Sequence, residues 1–504
     1  MSPRRRLAAI GLGFAAVGAA PGVVGAHAIG GTYQLPLPLW MYLAGAAVAV
    51  AASFVVVALI QRRAVDADAW RRPIPAPLAT VARWALRAVG LAWWYGAIVA
   101  GFAVGDISPL PAVLLWIGLW VGLPIVAILI GNPWPSLSPF RSTFAVLEWI
   151  ARRAGLRSLD VGLPYPAWLS RWPAVVLLAI AIWLELIHPE GGVAATVAAM
   201  MLRYTLLTLA GAIAFGQVAW LRNAELFEVL LGWFGRIGPI GRRAATPALC
   251  DGCTERCDPA HCVDCPECAV AADDSERAPE LRPWAVGLSE VRHANWSDAA
   301  FIVLALAGVS YDGISETAFG ATLLGWFLPP VEALFGLTGG TFLLVDTLAF
   351  AAVAVAFLAA FLAVVLATHR VVERPGAELR RTAGAYASTL LPIAAGYLVA
   401  HYLTLVILGA VWLPSLLADP LGSLQPELTW IPVGFVWYLS VGSIVLGHVV
   451  AIVLAHRIAL RDSPRRPVVA GLPMVALMIG YTILSLWIIA QPIVVEPGLP
   501  MAAR

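Results

Sequence analysis

Residues 341–367, TFLLVDTLAFAAVAVAFLAAFLAVVLA, decide the class of this protein. A helix needs about 20 apolar residues to cross roughly 30 Å of hydrocarbon. This stretch exceeds that length with one ionisable side chain, Asp346. The rest of the chain repeats the pattern: over 504 residues, 61% are hydrophobic and 12% charged, too little polar surface to coat a soluble globule. Lipid is therefore the solvent for most of the chain, and the bilayer its first partner. A formal net charge of +2, with all 32 basic residues Arg and none gathered into a groove, gives no reason to expect nucleic acid.

Outward from that stretch, comparable apolar segments lie at 40–60, 84–104, 110–131, 172–188, 193–220, 297–315, 387–411, 431–456 and 467–490, making ten spans in all. The expected fold class is all-α, a polytopic transmembrane helix bundle. Orientation follows from Arg placement, because basic loops stay cytosolic during insertion. Connections holding Arg62, Arg63, Arg71 and Arg72, then Arg141 to Arg157, Arg222 to Arg292, Arg370 to Arg381 and Arg457 to Arg466, alternate with loops that contain no Arg. The Arg-free loops 106–110, 189–192, 316–340 and 414–430 are expected outside. Two Leu-Leu-Gly-Trp-Phe stretches, 230–234 and 323–327, mix apolar and polar surroundings with an aromatic residue at headgroup depth and read as interfacial.

The N-terminus pairs a basic start, Arg4 to Arg6, with an apolar stretch from Leu7 to Ala20 and an Ala26-His27-Ala28 end. That pattern describes a secretory signal peptide over 1–28, with an uncleaved first helix as the rival reading. The chain then divides into a bundle of five spans (29–220), a cytosolic linker (221–296) and a second bundle of five spans (297–504).

All six cysteines fall in that linker, as Cys250-x2-Cys253-x3-Cys257-x4-Cys262-x2-Cys265-x2-Cys268. Cytosolic thiols stay reduced, so this spacing points to soft metal rather than to disulfides. Cys250, Cys253, Cys262 and Cys265 or Cys268 suit a tetrahedral zinc site. Cys262, Cys265 and Cys268 also have the spacing of an iron-sulfur run, with Cys257 or Cys253 as the fourth ligand. Unliganded or redox-switching thiols are the third reading.

Ionisable groups at membrane depth are costly and face a bundle interior or a wet cavity, which makes them site candidates. Here they are Glu185, Arg203, Asp312, Asp346, His401 and His448, with His188 and Glu316 near helix ends. Glu185 and His188 are three apart and Asp312 and Glu316 four apart, so each pair shares a helical face. Counting about 1.5 Å per residue from the loops puts Glu185, Arg203, Asp312 and His401 at similar depth, where one outward-opening pocket would collect them. Three uses follow. Glu185 with His188, joined by Asp312, Glu316 and His401, has ligand types for a second, intramembrane metal that activates water. The same acids and imidazoles with Arg203 suit a proton or solute pathway. Arg203 paired with Asp312 is the purely structural alternative. No Gly-x-Ser-x-Gly elbow, phosphate-binding Gly-rich loop or His-Glu-x-x-His is present.

Ala26-His27-Ala28 followed by Leu35-Pro36-Leu37-Pro38-Leu39-Trp40, Gly131-Asn132-Pro133-Trp134, Ser310-Tyr311-Asp312-Gly313 and the Cys cluster resemble a group of prokaryotic polytopic membrane proteins, some of which carry the name fenitrothion hydrolase. The resemblance implies a prokaryotic cell membrane, activity on an organophosphate ester and a partner membrane protein, and carries over no catalytic residue. Read physically, Asn132 and Pro133 end a helix and Trp134 anchors it at the headgroups. Gly313 permits close helix approach beside Asp312. The sequence alone thus favours a membrane-embedded, metal-assisted hydrolase or a subunit of one, with Glu185, His188, Asp312 and His401 as the residues to test. A transporter or channel, and an assembly factor that docks a partner through its Cys loop, are the alternatives.

Overall fold

The computed structural model describes residues 33–61, 72–244, 277–289, 291, 294–373, 378–421 and 424–495. The expected signal segment 1–28 and all six cysteines lie outside these residues. The main helices are α1 (Leu39–Ile60), α2 (Ala76–Ala103), α3 (Leu110–Leu129), α4 (Pro139–Arg153), α5 (Trp172–Leu186), α6 (Ala194–Phe215), α7 (Gln217–Ala224), α8 (Leu226–Phe234), α9 (Trp296–Ser315), α10 (Ala318–Phe335), α11 (Gly339–His369), α12 (Leu379–Ala418), α13 (Val433–Asp462) and α14 (Pro467–Ile493). Ten of them, all but α4, α5, α7 and α8, are long and apolar enough to cross a membrane. The protein is thus a multi-pass, membrane-embedded helical bundle, the architecture lipid imposes by leaving backbone groups nothing but each other to bond.

By length, the ten differ from the expected set in one exchange: α10 enters with 18 residues, and α5, at 15, falls short. Packing shows what each does. At the first turn of α9, Arg171 Nη1 lies 2.5 Å from Asp298 Oδ1. Further along the same two helices, a Cβ on Gly308 would stand 2.6 Å from Ile182 Cδ1. So α5 runs parallel to α9 and traverses the same depth. α11 runs antiparallel to α9: the Tyr311 hydroxyl donates to the Asp346 carbonyl at 3.2 Å near one end. Near the other, His369 Nδ1 meets Thr382 Oγ1 at 3.0 Å and Gly384 abuts the Ala294 carbonyl. α10, lying between them in the chain, therefore leaves and returns on one face. It packs on α11 through Leu328, Val331 and Val345, with Trp326 exposed.

The two Leu-Leu-Gly-Trp-Phe stretches consequently differ. The one at 323–327 lies on the rim of α10, with Leu323 buried at 6% and Trp326 exposed at 62%, whereas 230–234 is buried in α8, with Leu231, Trp233 and Phe234 at 0%, 3% and 4% exposure. The interfacial reading of 230–234 fails because α7 and α8 fold back into the bundle rather than along its edge.

The Arg-bearing connections gather on one face, as their alternation requires. His456 Nε2 bonds the Gln61 carbonyl at 3.0 Å, and the Arg465 amide donates to Glu373 Oε2 at 3.0 Å. On this face β2 (Arg72–Pro73), β4 (Arg277–Leu281) and β3 (Ile240–Ala244) form an antiparallel sheet in the order β2-β4-β3, with Ala244 opposite Arg277. The stretch that carries the cysteines thus leaves and re-enters the fold at neighbouring strand ends. Near the opposite face β1 (Tyr33–Gln34) pairs in parallel with β5 (Val494–Val495).

Candidate functional site

Asp312 stands in the last turn of α9, beside the middle of α12. Its Oδ2 takes hydrogen bonds from His401 Nε2 at 2.9 Å and from the Tyr402 hydroxyl at 2.5 Å. The His401 side chain is fully buried, and that of Asp312 retains 14% exposure. Gly313 makes the approach feasible, since a Cβ there would run into the Tyr397 hydroxyl and Ile488. Tyr397 in turn stacks on His401, with ring centroids 5.6 Å apart and planes 17° from parallel. The Tyr311-Asp312-Gly313 motif is therefore a contact device: Gly313 clears the ground for the imidazole that Asp312 binds.

Glu185, on α5, faces the same interior. Its Oε2 accepts from Trp120 Nε1 at 2.5 Å. Trp120 belongs to a ten-residue π-helical stretch of α3, Val113–Gly122. Wide helical turns of this kind are rare and concentrate at functional sites. Two features of the sequence favour it: Pro124 lacks the amide that an α-helix would use there, and Gly118 lets the Trp93 ring lie against the backbone. The widened turns bring Trp116 and Trp120 edge to face at 6.2 Å, and Trp116 Nε1 reaches the Gly191 carbonyl at 2.8 Å.

Between α3, α5, α9 and α12 lies a cavity of about 40 Å³, lined by Trp120, Glu185, Gly308, Leu230, Phe234 and Tyr402 among others. At 10–15 Å³ per water that is room for about three molecules. Tyr402 lies within electrostatic reach of both Glu185 and Asp312, and it joins them to a cavity whose other walls are mostly apolar: Glu185 enters the cavity, and Asp312 stands behind Tyr402. No cation lines it.

Of the residues singled out in the sequence, Glu185, Asp312 and His401 converge. Arg203 does not join them: it lies on the exposed face of α6, and Asp312 is held by His401 and Tyr402 instead. The Arg203–Asp312 pair is thus not formed. His188 caps the turn after α5, where its Nδ1 accepts the Glu190 amide at 3.2 Å and its ring packs on Trp183. Glu316 is the exposed C-cap of α9. Asp346 is half-buried on α11, and its backbone carbonyl, rather than its carboxyl, receives Tyr311. His448 is fully buried and bonds its own helix through the Ile444 carbonyl at 2.8 Å. Among the described residues no three His, Cys, Asp or Glu side chains form a group able to hold a metal ion.

A second buried acid was not apparent in the sequence. Glu225, at the break between α7 and α8 and 1% exposed, accepts from the Tyr204 hydroxyl (2.5 Å), Trp134 Nε1 (2.8 Å) and the amides of Phe227 (2.9 Å) and Glu228 (2.7 Å). Trp134 is 1% exposed, so it is a buried donor and not a headgroup anchor. Asn132 still plays its turn role, its Oδ1 accepting the Trp134 amide at 2.9 Å. Beside Glu225, Arg141 pairs with Glu228 at 2.9 Å. The Phe227 ring bridges the two acid sites, 5.3 Å from Trp134 and 6.4 Å from Trp120. The signals that would have located Glu225 are Gly216, whose φ of +83° ends α6, and the short polar interval that follows. Comparison of the chain with protein-family models, curated proteins and solved structures finds no match.

Proposed function

We propose that this protein moves a solute across a prokaryotic cell membrane in exchange for protons, and that Asp312, His401 and Tyr402 are its proton-exchanging group with Glu185 on the facing wall. One observation carries the reading: Asp312 Oδ2 binds an imidazole and a phenol at once, and that phenol, Tyr402, also lines a water-sized cavity that a second carboxyl enters. Acids and imidazoles chained in this way at membrane depth are the usual material of proton relays. The group has two states one proton apart, a carboxylate with neutral imidazole and the same pair carrying an added proton. In a low-dielectric interior that single charge alters every interaction around it, which gives protonation mechanical leverage on α9 and α12.

The hydrolase reading is less well supported. Sites that enclose a small organic substrate usually span about 300–1,000 Å³, whereas the cavity here is about 40 Å³. The ester chemistry implied by the family resemblance would need a larger space than α3, α5, α9 and α12 leave. On the same reading the Arg-bearing face is cytosolic, and the Cys250 to Cys268 stretch binds zinc, with an iron-sulfur cluster as the alternative.

Infrared difference spectra of the reconstituted protein between acid and alkaline medium test the proton site without knowledge of the solute. The carboxyl C=O band is expected to lose a titrating component in Asp312→Asn and another in Glu185→Gln, and His401→Gln to move the first. Unchanged difference spectra in Asp312→Asn would end the proposal.

A further inference from the structure

Arg203 occupies a position lipid does not tolerate. It is the tenth residue of α6, about 14 Å along the helix from the Ala194 end and about 18 Å from the Phe215 end at 1.5 Å per residue. An extended Arg side chain spans only about half the shorter distance, so neither headgroup layer is within its reach. The helix turns its other side inward: Met201, Thr205 and Thr208 are buried, and Trp94 of α2 donates to Thr205 Oγ1 at 2.9 Å. Arg203 is exposed in the middle of the outward arc, between Leu202 (40%), Leu206 (60%) and Leu207 (48%). Among the described residues no hydrogen bond, ion pair or ring stacking holds its guanidinium.

From this geometry we infer that the outer face of α6 is the docking surface for a membrane-spanning helix of a different protein, one that presents an Asp or Glu carboxylate to Arg203 at mid-depth. Charge complementarity selects this occupant. A guanidinium in hydrocarbon is relieved by a carboxylate with two parallel acceptor oxygens, and the flanking leucines supply the apolar contact that surrounds such a pair. A second copy of this chain does not fit: Glu185, Asp312 and Asp346 are half-buried within the bundle, and Glu332, exposed on α10, stands three residues from the end of that helix rather than at the depth of Arg203. The surface is separate from the proton site, so it stands or falls independently of the proposed function.

The test places a photo-crosslinking amino acid at Leu206 or Leu207 of the full chain in its native membrane. A membrane protein with an acid in the captured span is expected, with adduct yield falling at least about tenfold in Arg203→Leu and Arg203→Glu. Combining Arg203→Glu with an acid-to-Arg change in the partner is expected to restore the yield. Monodisperse elution of Arg203→Leu in detergent confirms that folding is intact, since that change only removes a charge from an apolar face. Adducts with lipid alone, adducts with a second copy, or a yield within about twofold of wild type in Arg203→Leu would each overturn the inference.

Discussion

Replacing Glu225 with Ala probes a buried polar cluster held on one carboxylate. The side chain accepts four hydrogen bonds, two at each carboxylate oxygen: the Tyr204 hydroxyl and the Phe227 amide at Oε1, Trp134 Nε1 and the Glu228 amide at Oε2. The alanine leaves all four donors without their acceptor at a site where Glu225 and Trp134 are each 1% exposed. A buried donor left unpaired costs about 1–3 kcal/mol, so the loss is at least about 4 kcal/mol even if every donor falls at the low end. Glu225→Gln keeps one acceptor oxygen and turns an NH₂ toward the other two donors, for a loss near half as large, about 2 kcal/mol or more. Because multi-pass proteins usually unfold irreversibly, the readout is the half-life of the monodisperse peak in detergent at fixed temperature, compared across wild type, Gln and Ala. Loss in the order wild type, Gln, Ala is expected. An Ala variant as durable as wild type, or a Gln variant worse than Ala, would show that the four bonds are incidental to the packing of α7 and α8.

Two further substitutions separate the proton site from the scaffold. Gly308→Ala inserts a methyl 2.6 Å from Ile182 Cδ1 on the cavity wall. It is expected to cost about 1–3 kcal/mol from overpacking and to narrow the cavity, slowing hydrogen exchange at the titrating carboxyl bands while the Glu225 cluster keeps its stability. Trp120→Phe removes the donor to Glu185 while leaving a ring against Phe227. Its stability cost should stay near about 1–3 kcal/mol, and the infrared band assigned through Glu185→Gln should shift in its pH profile while the Asp312 band stays put. Coincident movement of both bands would mean that the two carboxyls titrate as one unit.

The bundle was legible because lipid imposes a length and a composition on each crossing that survive any detail of packing. What the sequence does not carry is azimuth. Counting residues from the loops placed Glu185, Asp312 and His401 at one depth, and they do meet. The same count placed Arg203 with them, yet α6 points it outward, because depth along a helix says nothing about the direction in which a side chain leaves it. The exchange of α5 for α10 among the long helices has a related cause. Hydropathy measures whether a segment tolerates lipid, whereas traversal is decided by neighbours, and Asp298 and Gly308 carry the 15-residue α5 along the depth of α9. Glu225 was invisible for a third reason: its donors Trp134 and Tyr204 lie 91 and 21 residues away in sequence, and no local pattern records that they converge.

The asymmetry of the site bears on how protons and solute would take turns. Asp312 sits three residues from the end of α9 and keeps 14% exposure, so it opens toward the face without Arg loops. Toward the Arg-bearing face the cavity continues along α5 to Leu178 and along α3 to Pro124, with Leu230 and Phe234 of α8 in its wall, and the Arg171 guanidinium lies 5.7 Å from the Trp233 ring. On the proposed function, exchange with that second face would require the side chains around Leu178, Leu230 and Phe234 to part. On that reading α3 takes part in the change, because its π-helical stretch carries Trp120, and rewinding it to α-helix would move the indole relative to the Glu185 carboxyl. The bond from Trp120 Nε1 to Glu185 Oε2 opposes that movement and depends on the charge of the acid. On the proposed function, protonating Glu185 would weaken a charge-assisted bond to an ordinary one, so proton uptake would loosen Trp120 from the wall that the two residues share.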